Sequence, residues 1–287
     1  MTVYITCIVD GNAMRGNGKT GEGFGSLFDI VLSTYVWCRN HSFPFCFSPL
    51  VNIGHREHFG KQQAAWDKEW NDYIQKYLLG DSCAVDREKT TLLNVGSFSG
   101  TVNRSTGDDV ILNVGINGGI RLSLHHPELF TGDIRKSIAN QYSIVSKSLP
   151  LYFNKDKVNV ALHIRTYSST DCDSNPCREL YSPGNFMETF FINTIHKLHC
   201  EYKSKGELDF HIYSQGAETS FSNFKNLGYS IHLHLEEHPI TTFHHLIKAD
   251  VLVMSKSSFS YNAGYYSLGV RYIKGGAPSY LSDIIIL

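Results

Sequence analysis

A histidine and an arginine, His163 and Arg165, follow a short apolar run just past the middle of the chain. The run from Val160 to Ile164 is mostly apolar and β-favouring, and polar segments flank it, which predicts a buried strand. Arg165 carries a planar fork of donors that matches a phosphate or a pyrophosphate. Because ligands bind outside the carboxyl ends of strands in open α/β sheets, we interpret the pair as an anion-binding site. The alternatives are a surface ion pair for the arginine and a hydrogen-bonded core position for the histidine.

Polar segments also follow two later predicted strands. The first is Ser214-Gln215, and the second is a serine cluster that leads into a helix-like segment beginning at Tyr261. Hydroxyls and free backbone N–H groups at a strand-to-helix turn can bind an anion, with help from the helix dipole. The residues of the second segment that could contact a ligand are Ser255, Ser257, Ser258 and Phe259.

The loop at 11–25, between the first predicted strand and the first predicted helix, is rich in glycine. Gly18-Lys19-Thr20 ends like a phosphate loop of the Walker type, but Met14 stands where that motif needs a glycine. The run 21–25 matches a dinucleotide-binding fingerprint only in part. Both motifs are incomplete, so a phosphate-loop kinase is the lesser alternative. We retain the loop's conformational freedom and its position at the carboxyl end of a strand.

Composition indicates an ordinary globular protein. The chain has 287 residues, of which 42% are hydrophobic and 18% charged, and its net charge of -1 gives no reason to expect nucleic acid or an anionic membrane as a partner. No segment approaches the ~20 apolar residues of a membrane span. The N-terminus resembles a strand and lacks a basic region and a cleavage site, so we expect a cytoplasmic protein. The cysteines are irregularly spaced, as is typical of reduced thiols, although Cys172 and Cys177 could pair across their loop.

Strand-like and helix-like segments alternate along the chain. In the first half we predict strands at 1–10, 42–47, 92–95 and 110–114, and helices at 26–38, 61–79 and 127–153, the last made of 127–130 and then 134–152. In the second half we predict strands at 158–164, 208–213, 229–235, 250–254 and 270–274, and helices at 185–204, 217–227, 240–248 and 258–268. This alternation predicts an α/β fold with parallel, doubly wound sheets. With a boundary near 153, the chain forms two Rossmann-like domains, 1–153 and 154–287, facing each other across a cleft.

The order of these motifs resembles that of a known enzyme family. A glycine-rich first loop, a His-x-Arg strand end, Ser-Gln after a strand and the run from Ala249 to Ser260 are similar to the inverting GT-B glycosyltransferases of the fucosyltransferase superfamily. The resemblance covers the second half well and the first half only through 21–38, and 159–167 and 248–264 are its most specific parts. The chain also resembles the glycosyltransferases that large algal viruses encode for their capsid glycans, including a xylosyltransferase.

The resemblance implies a role for each motif in binding a nucleotide-sugar donor. Arg165 would hold the pyrophosphate, His163 would line the donor pocket, and Asp250 would lie near the base or ribose. The other residues implied in donor binding are Gly23, Gly25, Ser214, Gln215, Ser255, Ser257, Ser258 and Phe259. Fucosyltransferases commonly have a second arginine where this chain has Thr166, which weakens the case for GDP-fucose and favours another donor such as UDP-xylose. GDP-fucose transfer and donor binding without turnover remain the alternatives.

Inversion needs a general base that takes the proton of the acceptor hydroxyl. Glu22 is the first candidate, because its Glu-Gly-Phe segment resembles the one in which a group of protein O-fucosyltransferases carries its base. Asp72, Asp81 and Asp10 are the competitors, and for each the alternative is a solvated surface carboxylate.

We expect no metal and no cofactor other than the nucleotide sugar, which is a co-substrate. The run 171–173 has the form of the Asp-x-Asp metal motif, but it lies in a long loop after the His-x-Arg strand. His232 and His234 share one strand face, and no carboxylate or cysteine stands beside them at a ligand spacing. The expected partners are the donor and a glycan or glycoprotein acceptor.

Overall fold

The computed structural model describes residues 2–12, 23–80, 82–83, 90–94, 109–114, 130, 132–166, 181–275, 281 and 283–287. These residues form two compact units, one containing the described residues up to Lys147 together with Leu281, and the other beginning at Ser148. The division lies a few residues before the boundary that we place near 153. Each unit has its own parallel sheet with helices beside it in the chain, so the α/β class is confirmed.

The first unit contains a parallel sheet with the order β1-β3-β2. Its strands are β1 (Val3–Thr6), β2 (Thr91–Asn94) and β3 (Val110–Asn113). Its helices are α1 (Phe24–Asn40), α2 (Gln63–Tyr73), which continues as a π-helical turn at Ile74–Leu78, and α3 (Gly132–Val145). Short 3-10 turns occur at Arg56–Phe59 and Ser146–Ser148.

The predicted strand at 42–47 forms only an isolated bridge between Phe45 and Ile5. Pro44 has no backbone N–H to contribute to a ladder. Its carbonyl accepts from the Ile5 N–H at 3.0 Å, and Cys46 donates to the Ile5 carbonyl at 2.8 Å. The segment therefore runs beside β1 without forming a strand, which corrects the prediction.

One face of α2 carries the aromatic residues Trp66, Trp70 and Tyr73, and this aromatic stripe belongs to the core of the first unit. Trp66 and Trp70 are each 1% exposed. The Trp70 ring stacks on Phe24 of α1 at a centroid distance of 3.7 Å, and the hydroxyls of Tyr73 and Tyr142 are 2.7 Å apart. These rings hold α2 against α1 and α3, so packing explains the stripe.

The second unit contains a parallel sheet with the order β6-β5-β4-β7-β8-β9. Its strands are β4 (Val158–His163), β5 (Leu208–Ser214), β6 (Ile231–Leu235), β7 (Val251–Met254), β8 (Val270–Ile273) and β9 (Ile284–Ile286). Its helices are α4 (Phe186–Tyr202), α5 (Ser222–Lys225), α6 (Pro239–Lys248) and α7 (Ser258–Tyr266). The chain begins in the middle of the sheet, proceeds to one edge, returns to the middle and proceeds to the other edge, which is the doubly wound Rossmann order.

Apolar residues on one face of this sheet pack against α4. Val160 and Leu162 of β4 are fully buried in the same cluster as Phe191 and Ile195 of α4. Strands covered on both faces read as continuous apolar runs, which is why the alternation of this half was visible in the sequence. We did not predict β9, and the helix predicted at 217–227 is a 3-10 turn at Glu218–Phe221 followed by the short α5. No helix among the described residues is both long and apolar enough to span a bilayer.

Candidate functional site

The candidate site lies where β4 and β7, adjacent strands of the second sheet, reach their carboxyl ends. The strand order reverses between them, because β4 leads outward to β5 and β7 leads outward to β8. In doubly wound sheets this switch point leaves a crevice outside the strand ends, and ligands bind there. The segment after β4 carries Arg165, and the segment after β7 carries the serine cluster, so the fold brings these two predicted motifs together.

His163, the last residue of β4, is bonded to two serines from beyond β7. Its Nδ1 lies 2.8 Å from Ser255 Oγ and 2.6 Å from Ser260 Oγ. The Phe259 ring packs against the imidazole at a centroid distance of 5.4 Å and against Phe243 of α6 at 5.2 Å. The two hydroxyls and the flanking ring fix the orientation of the imidazole.

His163 is neutral at physiological pH. Burial, and then the positive charge of Arg165, lower the pKa of His163 to about 3. A neutral imidazole has one N–H and one lone pair. When both serine hydroxyls donate to Nδ1, the ring proton lies on Nε2, from which it can donate to a ligand oxygen.

The Arg165 guanidinium reaches the serine cluster directly. Its Nη1 lies 3.4 Å from Ser257 Oγ. The backbone beside it is also anchored, because the Arg165 carbonyl accepts from the Tyr181 N–H at 2.9 Å. Tyr181 is 2% exposed, stacks on Phe221 at 4.9 Å and donates from its hydroxyl to Glu188 Oε1 at 3.1 Å. These contacts therefore fix the position of the backbone at Arg165.

Ser257 is the N-cap residue of α7, and its side chain makes no capping bond. Its N–H donates to the Ser255 carbonyl at 2.9 Å, and its own carbonyl accepts from the Tyr261 N–H at 2.9 Å, which closes the turn between β7 and the helix. The amino end of a helix attracts anions through its dipole and its free N–H groups. Ser258 and Phe259, in the first turn, are partly exposed. Cation, hydroxyls and helix end together form an arrangement suited to a phosphate or a diphosphate.

Ser214 and Gln215 lie at the same edge of the sheet, at the end of β5. Ser214 donates from its hydroxyl to the Ile164 carbonyl at 2.6 Å, so it links the ends of β4 and β5. Gln215 is exposed. The structure thus gives Ser214 a scaffolding bond and leaves Gln215 at the surface beside the site.

Asp250 does not lie at this edge. It precedes β7, so it is at the amino edge of the sheet, and its Oδ2 accepts from the Asn159 N–H at 2.8 Å near the start of β4. Arg165 and Ser257 follow the opposite ends of the same two strands. This position gives no support to the prediction that Asp250 contacts the base or ribose of a donor, because Asp250 precedes its strand and so lies at the amino edge of the sheet.

The donor-binding and catalytic residues that we predicted in the first unit lie in different kinds of environment. Gly23 is the N-cap residue of α1, and a Cβ there would lie 2.8 Å from the His55 ring, so close packing explains this glycine. Gly25 is buried within α1. Asp72 is an exposed residue that pairs with Lys68 one turn earlier, as an ordinary surface carboxylate does, and this position gives no support to a role as base.

Asp10 accepts at Oδ1 from the Asn12 N–H and from Asn52 Nδ2, both at 2.9 Å, which is a turn-stabilising arrangement. Glu22, Asp81, the Gly18-Lys19-Thr20 motif, the 171–173 motif and the Cys172–Cys177 pair lie outside the described residues. Cys7, Cys38, Cys46, Cys83 and Cys200 form no disulfide with one another within the described part of the chain.

Ser260 and Tyr181 belong to the site and were not predicted. Ser260 is fully buried and stands one helical turn after Ser257, so its place in the serine cluster was visible. The sequence did not indicate which of the serines turns back to the imidazole. Tyr181 gave no signal, because its contact with Arg165 joins two residues that are far apart in the sequence.

No family model matches the chain. No curated protein matches it by sequence. Solved structures that match include POFUT1 in complex with GDP-fucose, with a TM-score of 0.42 and 11% identity over 92% of this chain and 93% of that chain. They also include the E. coli heptosyltransferase WaaC with ADP-2-deoxy-2-fluoro heptose, with a TM-score of 0.41 and 10% identity over 100% of this chain and 93% of that chain. Scores of this size carry no argument about function, so the functional proposal is based on the site.

Proposed function

We propose that the chain is an inverting glycosyltransferase of the GT-B type that transfers a sugar from a nucleotide-sugar donor to a glycan hydroxyl. The observation that carries the proposal is the approach of Arg165 to Ser257, with 3.4 Å between Nη1 and Oγ, at the switch point of a doubly wound sheet. This is where such sheets bind nucleotides, and it combines a guanidinium with a helix amino end.

The chemistry of sugar transfer suits these groups. As the bond between the sugar and the diphosphate breaks, negative charge develops on the leaving nucleoside diphosphate, and fixed donors stabilise it. Arg165 would donate to the diphosphate with two parallel bonds. The N–H groups at the start of α7 would bind the other phosphate oxygens, and His163 would donate from Nε2 as a neutral ligand. Because these groups supply the charge, the proposed reaction needs no metal.

The remaining role is the general base, for which we propose Glu22. The support is the Glu-Gly-Phe sequence of residues 22–24, which resembles a segment that carries the base in some protein O-fucosyltransferases. The second candidate function is donor binding without turnover, which needs no general base. Its support is that Asp72, a candidate base, is an ordinary surface carboxylate.

For the donor we propose UDP-xylose, with GDP-fucose as the competitor. The support is Thr166, whose neutral side chain stands where a second guanidinium is common in fucosyltransferases. The proposed acceptor is a glycan or glycoprotein in viral or surface glycan synthesis, made in the host cytoplasm, and its support is the resemblance alone. Thermal shifts with UDP, GDP and their sugars test the donor, because a ligand that binds only the folded state raises the melting temperature. We expect UDP-xylose to raise it more than GDP-fucose, and the reverse ranking would overturn this donor.

The enzyme and the binding protein differ in turnover. We would measure nucleoside diphosphate release from the preferred donor, with and without glycan acceptors, for the wild type, Arg165→Ala and Glu22→Gln. If the chain is an enzyme, both variants should lose nucleoside diphosphate release, and Glu22→Gln should keep its affinity for the donor. Release that is insensitive to Arg165 would refute the proposed site, and donor binding without any release would support the second candidate.

A further inference from the structure

A carboxylate and two imidazoles lie together on neighbouring strands of the second unit, near the amino ends of β5 and β6 and thus away from the carboxyl ends that carry the candidate site. Asp209 and His211 share one face of β5, and His232 of β6 is aligned with His211. One ligand atom from each of the three lies within 4.8 Å of the others. The sequence spacing of these residues does not indicate a cluster, because only the pairing of β5 with β6 brings them together.

His211 carries a buried nitrogen that has no hydrogen-bond partner among the described residues. The residue is 4% exposed, and the unpartnered atom is Nε2. The other ring nitrogen, Nδ1, lies 3.0 Å from Nε2 of His234. Buried polar groups are almost always paired, so an orphan nitrogen beside a carboxylate and a second imidazole points to a missing ligand.

The hydrogen bond between the two imidazoles allows an arrangement in which His211 can bind a metal. Glu237 Oε1 lies 3.8 Å from His234 Nδ1, the ring nitrogen that does not face His211. In that arrangement the Nδ1–H of His211 donates to Nε2 of His234. The Nε2 lone pair of His211 is left open, which is the state in which imidazole binds a metal, and its other nitrogen has the outer hydrogen bond typical of metal ligands.

We propose that Asp209, His211 and His232 bind a divalent transition-metal ion of the zinc type, which ties β5 to the edge strand β6. Imidazole with carboxylate suits such ions better than magnesium or calcium. Their bonds to nitrogen and oxygen are ~2.0–2.2 Å long, which sets tetrahedral ligand atoms about 3.4 Å apart. His232 Nε2 lies 3.8 Å from Asp209 Oδ1, and its side chain is 48% exposed, so a small rotation completes the geometry. Water from the exposed side fills the fourth position.

Lys157 would compete with a bound metal for the Asp209 carboxylate. Its Nζ lies 3.0 Å from Asp209 Oδ1 and 3.6 Å from Glu207 Oε2. When a metal takes the Asp209 carboxylate, Lys157 keeps Glu207 as its partner. Removal of this lysine should therefore strengthen metal binding, whereas removal of a ligand should weaken it.

The test is calorimetric titration of the tag-free, chelator-treated full chain with zinc chloride, together with the absorption spectrum of added cobalt. We expect one equivalent of zinc, cobalt d–d bands of a low-coordinate site and a rise in melting temperature with zinc. His232→Asn and Asp209→Asn should weaken binding by about tenfold or more, and Lys157→Met should tighten it. His196→Asn, an exposed histidine on α4 bonded to Tyr229, is the matched control and should bind like the wild type. Less than one equivalent, or undiminished affinity in folded His232→Asn, would overturn the site and indicate adventitious binding at surface histidines or thiols.

Discussion

Ser260 Oγ lies 2.6 Å from His163 Nδ1, and it reaches the imidazole from the first turn of α7 rather than from the strand that carries the histidine. The helix whose amino end faces Ser257 and Arg165 is therefore the same helix that orients the neutral imidazole. A movement of α7 would therefore displace the hydroxyls, the N–H groups and the imidazole of the proposed donor site together.

Ser260→Ala should weaken nucleoside diphosphate binding through His163. Loss of one hydrogen bond of about 1 kcal/mol corresponds to an affinity loss of about fivefold. Calorimetry with UDP and GDP measures it, and Ser222→Ala, an exposed serine at the start of α5, is the control. A double-mutant cycle with His163→Gln should show non-additive effects. Full additivity would mean that the serine acts independently of the imidazole.

Arg165→Ala should weaken binding of a nucleoside diphosphate by about 10- to 100-fold, because hydrogen bonds to charged groups contribute about 1.5–3 kcal/mol. Arg165→Lys should recover only part of the affinity, since a point charge replaces a planar fork. Lys197→Ala is the control for loss of a positive charge, because Lys197 forms an exposed pair with Glu201 on α4. Equal affinities in all three variants would contradict the site.

Asp250→Ala should lower stability and leave donor affinity unchanged. Asp250 accepts a hydrogen bond from the Asn159 backbone at the amino edge of the sheet, and its loss should cost about 1 kcal/mol of unfolding free energy. Urea unfolding and UDP titration of the same sample separate the two effects. A loss of UDP affinity at unchanged stability would return Asp250 to the donor site.

Acidification should destabilise the folded chain. Burial lowers the pKa of His163, His211 and His244 to about 3, and neighbouring positive groups lower each pKa further in the same direction. An unfolded histidine has a pKa of about 6.5, so between about pH 6.5 and 3 the unfolded chain binds protons that the folded chain does not. Stability is therefore complete above this window and falls as pH drops through it, by up to about 1.4 kcal/mol per pH unit for each histidine.

Urea unfolding of the metal-free chain between about pH 7 and pH 5, followed by circular dichroism, measures this dependence. His244→Gln removes one of the three groups and should reduce the slope. A flat profile, or stability that increases on acidification, would show that these imidazoles take up protons in the folded state.

The inner strands of the second unit, β4, β5 and β7, could be predicted closely from sequence because they are buried on both faces. Val251–Met254 is fully buried and apolar, and its bounds agree with the predicted strand to within one residue. Arg165 and Ser257 were also predictable, since both follow a strand whose carboxyl end faces the switch point. Asp250 was assigned to the same edge, but it adjoins its strand at the amino end, away from the switch point.

Contacts that depend on strand register could not be predicted. His211 meets His232 because two strands separated by a stretch of α-helix and turns align these positions, and no local pattern encodes that alignment. Ser260 likewise differs from its neighbouring serines only in the direction that α7 gives to its side chain. In the first unit the strand predicted at 42–47 was wrong, because Pro44 lacks the N–H that a strand ladder needs and only one bridge forms there.

The bridge between Thr166 and Tyr181 has a consequence for how this protein could change. The Tyr181 N–H holds the Arg165 carbonyl at 2.9 Å. Both groups belong to the backbone, so this anchor does not depend on which side chain position 165 carries. That position can therefore accept another side chain without loss of the contact, which makes it a point at which the charge of the site could change during evolution.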